Sequence, residues 1–336
     1  MDDRYSRQIL FPGIGVEGQR RLAESHAVIV GCGALGCVQA MLLARAGVGR
    51  LTLIDRDYVE RSNLQRQILF DESDAAAALP KAIAAQRRLA AINSEIEVRA
   101  LVEDLDARNA AELLDGAGVI LDATDNFETR YLINDWSVQN SVKWIYGAAV
   151  GSYGISMPVL PDRGACFRCI YPAPPSGDQP TCETAGVLNP VTTVVGAWQA
   201  ATALKLLSGH AAELELRIVT LDVWTGTFRA IGQPPRDPDC PCCGAKTLEY
   251  LERSRRAPVS LCGRNAVQIH DRGRPLDLAQ LRAKLERLGD VRANDFALRF
   301  LVEAYEITIF PDGRAIIKGT TDVGIARGLY SRYIGN

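Results

Sequence analysis

The chain is poor in histidine and carries no surplus of basic residues. Its three histidines, His26, His210 and His270, are far apart: the first precedes a predicted strand, the second follows a predicted helix and the third lies in the C-terminal region. None pairs with a nucleophile at a recognisable spacing, which argues against a hydrolase of the Ser-His or Cys-His kind. Lys plus Arg total 38 against 40 Asp plus Glu, a formal net charge of −2, so no global basic field recruits nucleic acid or an anionic membrane. No uninterrupted apolar run approaches the roughly 18 residues of a membrane span. The N-terminal Met1-Asp-Asp-Arg-Tyr-Ser-Arg7 is charged and carries no apolar signal segment, so the sequence predicts a cytoplasmic protein. Internal repeats and low-complexity tracts are absent. The 336 residues suggest two domains, and the 47% hydrophobic content is enough to bury a core and exclude a mostly disordered chain.

Cysteine is present, in an informative pattern. Nine cysteines cannot all pair, and four of them form Cys166-Phe-Arg-Cys169 and Cys240-Pro-Cys-Cys243. Two CxxC pairs point to metal ligation in a reducing compartment rather than to disulfides. Cys166, Cys169, Cys240 and Cys243 supply the four thiolates of a closed tetrahedral Zn²⁺ site. Because residues 170–239 separate the pairs, the metal would tie distant segments together. Cys242 competes as fourth ligand, and Cys243 is preferred because it preserves the two-residue spacing. Cys32 and Cys37 flank a glycine turn and read as structural, while Cys262 has no recognisable partner.

The first 160 residues alternate strand and helix patterns, which predicts an α/β fold with a doubly wound, mostly parallel sheet. Strands are expected at Ala27–Val30, Leu51–Asp55, Ile96–Leu101, Val119–Asp122 and Lys143–Gly147, with helices at Ala34–Ala46, Lys81–Ile92 and Thr129–Asn140. The Gly-rich apolar run Tyr146–Val159 reads as an antiparallel extension. A Pro/Gly/Ser loop, Tyr171 to Pro180, precedes a long apolar helix over Asn189–Ser208, and strands return at Leu216–Leu221 and Thr227–Ile231. A basic linker, Glu252-Arg-Ser-Arg-Arg256, divides residues 1–255 from a small α+β appendix, 256–336. The appendix is expected to run strand, helix, two or three strands, helix, with a hairpin turn at Pro311-Asp-Gly313.

The strand Ala27–Val30 ends in Gly31-Cys-Gly33-Ala-Leu-Gly36, and the next strand ends in Asp55. Alone, these fit a dinucleotide fold in which helix amides bind phosphate and the acid binds ribose hydroxyls. Arg66, in Ser62-Asn63-Leu64-Gln65-Arg66-Gln67, and Lys81 add cations that a nicotinamide cofactor does not need. They suit phosphates whose bonds will break.

Taken in order, Arg4-Tyr-Ser-Arg-Gln8, the glycine turn, Asp55, Ser62–Gln67, Pro80-Lys81, Thr124-Asp-Asn126, the two CxxC pairs and Cys182-Glu-Thr-Ala-Gly186 resemble the E1-like adenylyltransferases of the ThiF/MoeB/HesA branch, over about residues 4 to 250. The resemblance implies a Rossmann-like adenylation domain. In it Gly31, Gly33, Gly36, Ser62, Asn63 and Asn126 line an ATP crevice and Asp55 binds the ribose. Arg66 and Lys81 contact the phosphates, and Asp125 helps to hold Mg²⁺. Arg7 reaches into the site of a second copy, which implies a homodimer, and Cys182 on a crossover loop can link to the carrier. The implied reaction adenylates the C-terminal glycine carboxylate of a ubiquitin-like, Gly-Gly-ended sulfur-carrier protein. A separate sulfur donor such as a cysteine desulfurase then serves thiamin or molybdopterin synthesis. Alternatives are an E1-like enzyme acting on another peptide, a protein C-terminus or a tRNA, an NAD(P)-dependent oxidoreductase, and a non-catalytic carrier-binding scaffold.

Overall fold

The computed structural model describes residues 3–174, 184–252, 259–261, 265–269 and 276–335. The chain divides into two compact units, Met1–Arg253 and Ser254–Asn336. Among the described residues no helix is long and apolar enough to cross a membrane.

The first unit is built on eight strands: β1 His26–Val30, β2 Arg50–Ile54, β3 Glu97–Leu101, β4 Val119–Asp122, β5 Trp144–Val150, β6 Tyr153–Val159, β7 Arg217–Asp222 and β8 Thr227–Gly232. They lie in the order β3-β2-β1-β4-β5-β6-β7-β8. The five strands from β3 to β5 are parallel, and β5 to β8 continue as an antiparallel meander. This is the Rossmann-like sheet with antiparallel extension that the sequence predicts. Alternation along β1 explains why the sheet is covered on both faces. Ala27 and Ile29 join one core with Leu51, Leu53, Val119 and Leu121, whereas Val28 and Val30 join a second with Ile54, Ile120, Trp144 and Tyr146.

The first face is covered by the helices Ala34–Arg45 and Lys81–Ile92. The first of these is apolar nearly all round because it is sandwiched between the sheet and the helix Asn189–Leu207. The helix Phe127–Asn140 covers the second face. Parallel connections bring the C-terminal ends of β1, β2 and β4 to one edge. The break in strand sequence between β1 and β4 is the switch point where open α/β sheets bind ligands.

The second unit contains β9 Val259–Leu261, β10 Ala266–Ile269, β11 Asp290–Ala293, β12 Leu298–Val302, β13 Tyr305–Ile309 and β14 Ala315–Lys318, with helices Leu278–Leu285 and Val323–Tyr333. The strands form one sheet in the order β11-β12-β13-β14-β10-β9, with Phe300, Ile307 and Ile317 in its core. The hairpin expected at Pro311–Gly313 joins β13 to β14, with Gly313 at φ 83°. Among the described residues four strands, not two or three, lie between the helices, and two rather than one precede the first helix. Within Leu298–Ile309 the chain turns at Glu303-Ala304, with Val302 paired to Tyr305 and Glu303 at φ 55°. A non-glycine residue in the left-handed region leaves no turn signal in the sequence.

Candidate active site and metal centre

The glycines of the first turn divide the work. Gly31, at φ 96°, passes so close to β4 that a Cβ there would lie 2.6 Å from the Ala123 carbonyl oxygen. A Cβ on Gly36 would overlap the Gly31 carbonyl. These two fix the turn and seat the helix against it. Gly33 caps the helix Ala34–Arg45, and a Cβ there would meet only the Gln67 amide, at 3.9 Å. The bare backbone leaves the first helical N–H groups open to an anion.

Asp55, just beyond β2, is held from two sides. Its Oδ2 accepts from Cys32 N at 2.6 Å and its Oδ1 from Asp57 N at 2.7 Å. Burial pushes its carboxyl up, and the Lys81 ammonium pulls it back. Lys81 opens the helix Lys81–Ile92 and is buried, with Nζ 3.2 Å from Asp57 Oδ2. Its backbone N donates to Asp57 O at 2.8 Å, and the Tyr58–Pro80 bridge completes this pairing. Asp57 carried no role in the sequence reading. The available signal was the Asp55-Arg56-Asp57 alternation, which puts two acids on one side of an extended segment.

The loop after β2 carries the other cation. Arg61–Asn63 forms a short 3-10 helix in which the buried Asn63 accepts from Glu60 N through Oδ1, at 3.1 Å. Ser62 is exposed, and its carbonyl receives the half-buried Arg66 Nη1 at 2.8 Å. Gln67, buried, reaches the glycine turn at Gly33. One local fold thus carries Arg66 and the Gln67 side chain that meets the glycine turn.

The third strand end adds Asp122 and its loop. Asp122 is fully buried; Oδ1 accepts from Thr124 N and Thr124 Oγ1 at 2.9 and 2.7 Å, and Oδ2 from Arg130 Nε at 3.2 Å. Arg130 also donates to Thr124 O at 2.6 Å and lies over the rings of Phe127 and Tyr146, 5.2 Å from each centroid. Burial pushes the Asp122 carboxyl up while Arg130 opposes it. Gln199 donates to Asp122 O at 2.8 Å, and Gln39 donates to Gln199 Oε1 at 2.6 Å. This network clamps the loop from below and leaves Asp125 exposed at its tip. Asn126 caps the next helix, its Oδ1 accepting from Thr129 N at 2.9 Å. Sequence reasoning missed Arg130, Gln39 and Gln199, which look like ordinary helical residues until the helices are packed.

Arg7 lies elsewhere. Its neighbours dock at the far ends of the two crevice helices: Gln8 donates to Ala46 O at 2.8 Å, Arg4 to Ile92 O at 3.1 Å and Asn93 to the Tyr5 hydroxyl at 2.8 Å. Each helix has 12 residues and begins at the crevice. The exposed Arg7 is therefore one helix length, about 18 Å, from the crevice of its own chain. Cys182 lies outside the described residues, as do Cys262 and His270.

The sulfur atoms of Cys166, Cys169, Cys240 and Cys243 lie within 4.8 Å of one another. Cys166 to Cys240 is 3.7 Å, Cys169 to Cys166 is 3.8 Å and Cys169 to Cys243 is 3.4 Å. Tetrahedral Zn²⁺ with Zn–S of about 2.3 Å needs S···S of about 3.8 Å. The donor set fits a structural zinc with Cys243 as fourth ligand. Cys242 sits beside Cys166 but is held by other partners, its thiol donating to Asp135 Oδ1 at 3.2 Å while Asn134 Nδ2 donates to its sulfur at 3.2 Å and to that of Cys166 at 3.8 Å. Cys37 is a buried thiol pushed up to about 12, consistent with packing rather than chemistry.

The model of the ThiF family matches residues 5–242. The chain is 44% identical over 340 residues to the sulfur carrier protein ThiS adenylyltransferase of Bacillus subtilis, covering all of both chains. It is 40% identical over 252 residues to the SAMP-activating enzyme E1 of Haloferax volcanii, covering 74% of this chain and 92% of that one. Among solved structures, Escherichia coli MccB with ATP superposes with a TM-score of 0.63 at 25% identity, over 73% of this chain and 74% of that one. With the family model spanning more than half of the chain and a relative aligned from end to end, the protein belongs to the ThiF family.

Proposed function

We propose that the protein is an ATP-dependent adenylyltransferase that activates the C-terminal glycine carboxylate of a ubiquitin-like sulfur-carrier protein of the ThiS or MoaD type. The carrying observation is the buried Lys81, paired with Asp57, whose N–H donates to Asp55, which in turn accepts from Cys32 N in the glycine turn. A bound dinucleotide does not need such a cation; a nucleotide that loses pyrophosphate does. The names of the Bacillus subtilis and Thermus thermophilus relatives, both sulfur-carrier adenylyltransferases, support the substrate class.

In this reading the glycine turn and Asp55 bind the nucleoside and proximal phosphate of ATP. A carboxylate oxygen of the carrier tail attacks the α-phosphorus. The bond to the α–β bridging oxygen breaks, its electron pair leaves with pyrophosphate, and the tail becomes an acyl-adenylate. Arg66 and Lys81 offset charge that grows on the leaving group. Asp125, exposed at the loop tip, is a hard oxygen donor suited to Mg²⁺, which when bound lowers the phosphate charge. A persulfide sulfur from a separate donor such as a cysteine desulfurase then attacks the acyl carbon, the acyl–oxygen bond breaks and AMP leaves, and a thiol reductant cleaves the S–S bond of the resulting acyl disulfide to release the thiocarboxylate. Cys182 is retained as the residue that can link to the carrier. The chemistry belongs to residues 1–255, with 256–336 a small domain of separate role, and a reducing cytoplasmic setting keeps the four metal-site thiols available.

The remote position of Arg7 supports a homodimer in which each chain lends Arg7 to its neighbour's crevice. Arg7→Ala and Lys81→Ala homodimers should both be inactive, whereas mixing them should restore up to about a quarter of wild-type activity, from dimers with one intact composite site. No recovery in verified mixed dimers would count against the shared site. The adenylation reading itself is tested by carrier-dependent ATP–pyrophosphate exchange.

A further inference from the structure

Lys81 occupies a position that is electrostatically wrong for a lysine. It is the first residue of a 12-residue helix, where the backbone amides and macrodipole favour anions, and it is only 5% exposed. An ammonium taken out of water needs a partner. Asp57 supplies one through Oδ2 at 3.2 Å, in a pair whose side chains are 7% and 17% exposed. Asp57 also fixes the lysine backbone by accepting from Lys81 N at 2.8 Å, and it reaches the nucleoside side of the crevice by donating its own N–H to Asp55. Arg56 braces it from the other flank, with Nε 3.9 Å from Asp57 Oδ1 and Nη1 2.9 Å from Asp104 Oδ2.

We propose that Asp57 is the positioning residue for Lys81, its carboxylate holding the ammonium where the leaving phosphate will develop charge. The inference rests on the adenylation reading. Asp57 and ATP phosphates compete for the same ammonium, so removing the carboxylate does not weaken ground-state binding of ATP. It does release the cation from a fixed position, and a preorganised charge acts in the transition state at little reorganisation cost. The expected signature is a fall in kcat at nearly constant KM.

The test compares Asp57→Asn, Asp57→Glu and wild type by ATP–pyrophosphate exchange and by peptide-mapped acetylation of lysines in the protein without ATP. Asp57→Asn should lower kcat at least about tenfold with KM for ATP within about twofold, and Asp57→Glu should recover part of the loss. In a Lys81→Met background, read on the residual exchange at high enzyme concentration, Asp57→Asn should cost less than about a further twofold, because the two residues act as one unit. Acetylation of Lys81 should accelerate several-fold in Asp57→Asn while Lys143 and Lys205 react as before. Wild-type kcat with wild-type Lys81 labelling, or additive losses in the double variant, would overturn the assignment. If every lysine in Asp57→Asn reacted faster, the fold would be at fault, and the same labelling of Asp57→Glu would decide. Wild-type protein without exchange activity would contradict the adenylation reading, and the Lys81 labelling ratio would then judge the Asp57 assignment by itself.

Discussion

Arg66→Ala should lower ATP–pyrophosphate exchange by on the order of 10²- to 10³-fold while the protein melts within a few degrees of wild type. The two halves of that expectation have separate physical causes. Arg66 is half-buried in a surface loop and donates to the Ser62 carbonyl, so its removal costs one part-exposed hydrogen bond. The loop keeps its shape through the Glu60–Asn63 cap and the buried Gln67, and changes at such positions usually shift stability by about 0.5 kcal/mol. The chemical loss follows from the proposed role, because a guanidinium that meets a leaving pyrophosphate is favoured more as negative charge grows. Arg66→Lys should recover only part of the rate, since a point charge does not replace a planar two-pronged donor. Exchange within about threefold of wild type in Arg66→Ala would remove Arg66 from the phosphate site.

Cys240→Ser should cut bound zinc from about one per chain to near zero, measured by elemental analysis, and lower the melting temperature by on the order of 10 °C. Two segments separated by residues 170–239 meet at the four sulfurs, and both are tied to the helix Phe127–Asn140. Asn134 accepts from Phe167 N at 2.9 Å, and Asp135 accepts from Tyr250 N at 2.8 Å and from the Cys242 thiol. Small zinc domains draw about 10–16 kcal/mol from their metal. This unit has two apolar cores of its own, so it loses part of its stability rather than its fold. The same helix is capped by Asn126, beside Asp125, so the cysteine cluster and the Asp125 loop are tied to one element. Full zinc occupancy in Cys240→Ser, or an unchanged melting temperature after verified zinc loss, would contradict a structural site built from four thiolates; Cys242→Ala, by contrast, should retain the metal.

The parts of this architecture that follow local rules were legible before any coordinates. The run Ala27–Val30 ends in glycine because β1 must turn sharply past β4, and only a residue without a Cβ clears the Ala123 carbonyl. The spacing of the CxxC pairs encodes the four-sulfur cluster, and Pro311-Asp-Gly313 encodes its hairpin. What stayed hidden depends on long-range packing or on a turn without the usual residues. Asp57 acquires meaning only when Lys81 is folded against it, and Arg130 only when Asp122 is buried beneath the loop it clamps. The hairpin at Glu303-Ala304 lacks glycine, asparagine and proline, so no turn residue marks it in the sequence. Arg7 is singled out only by the resemblance of Arg4-Tyr-Ser-Arg-Gln8, since nothing in its local sequence separates it from its surface neighbours.

The central claim is that this crevice adenylates a protein's terminal carboxylate. The most direct measurement is exchange of labelled pyrophosphate into ATP by the wild-type protein with Mg²⁺ and purified ThiS-type or MoaD-type carriers ending in Gly-Gly. The account predicts exchange that requires a carrier, disappears when its last glycine is removed and is lost in Lys81→Ala. No exchange with any such carrier, together with thermal stabilisation by NAD(P) and not by Mg·ATP, would contradict it.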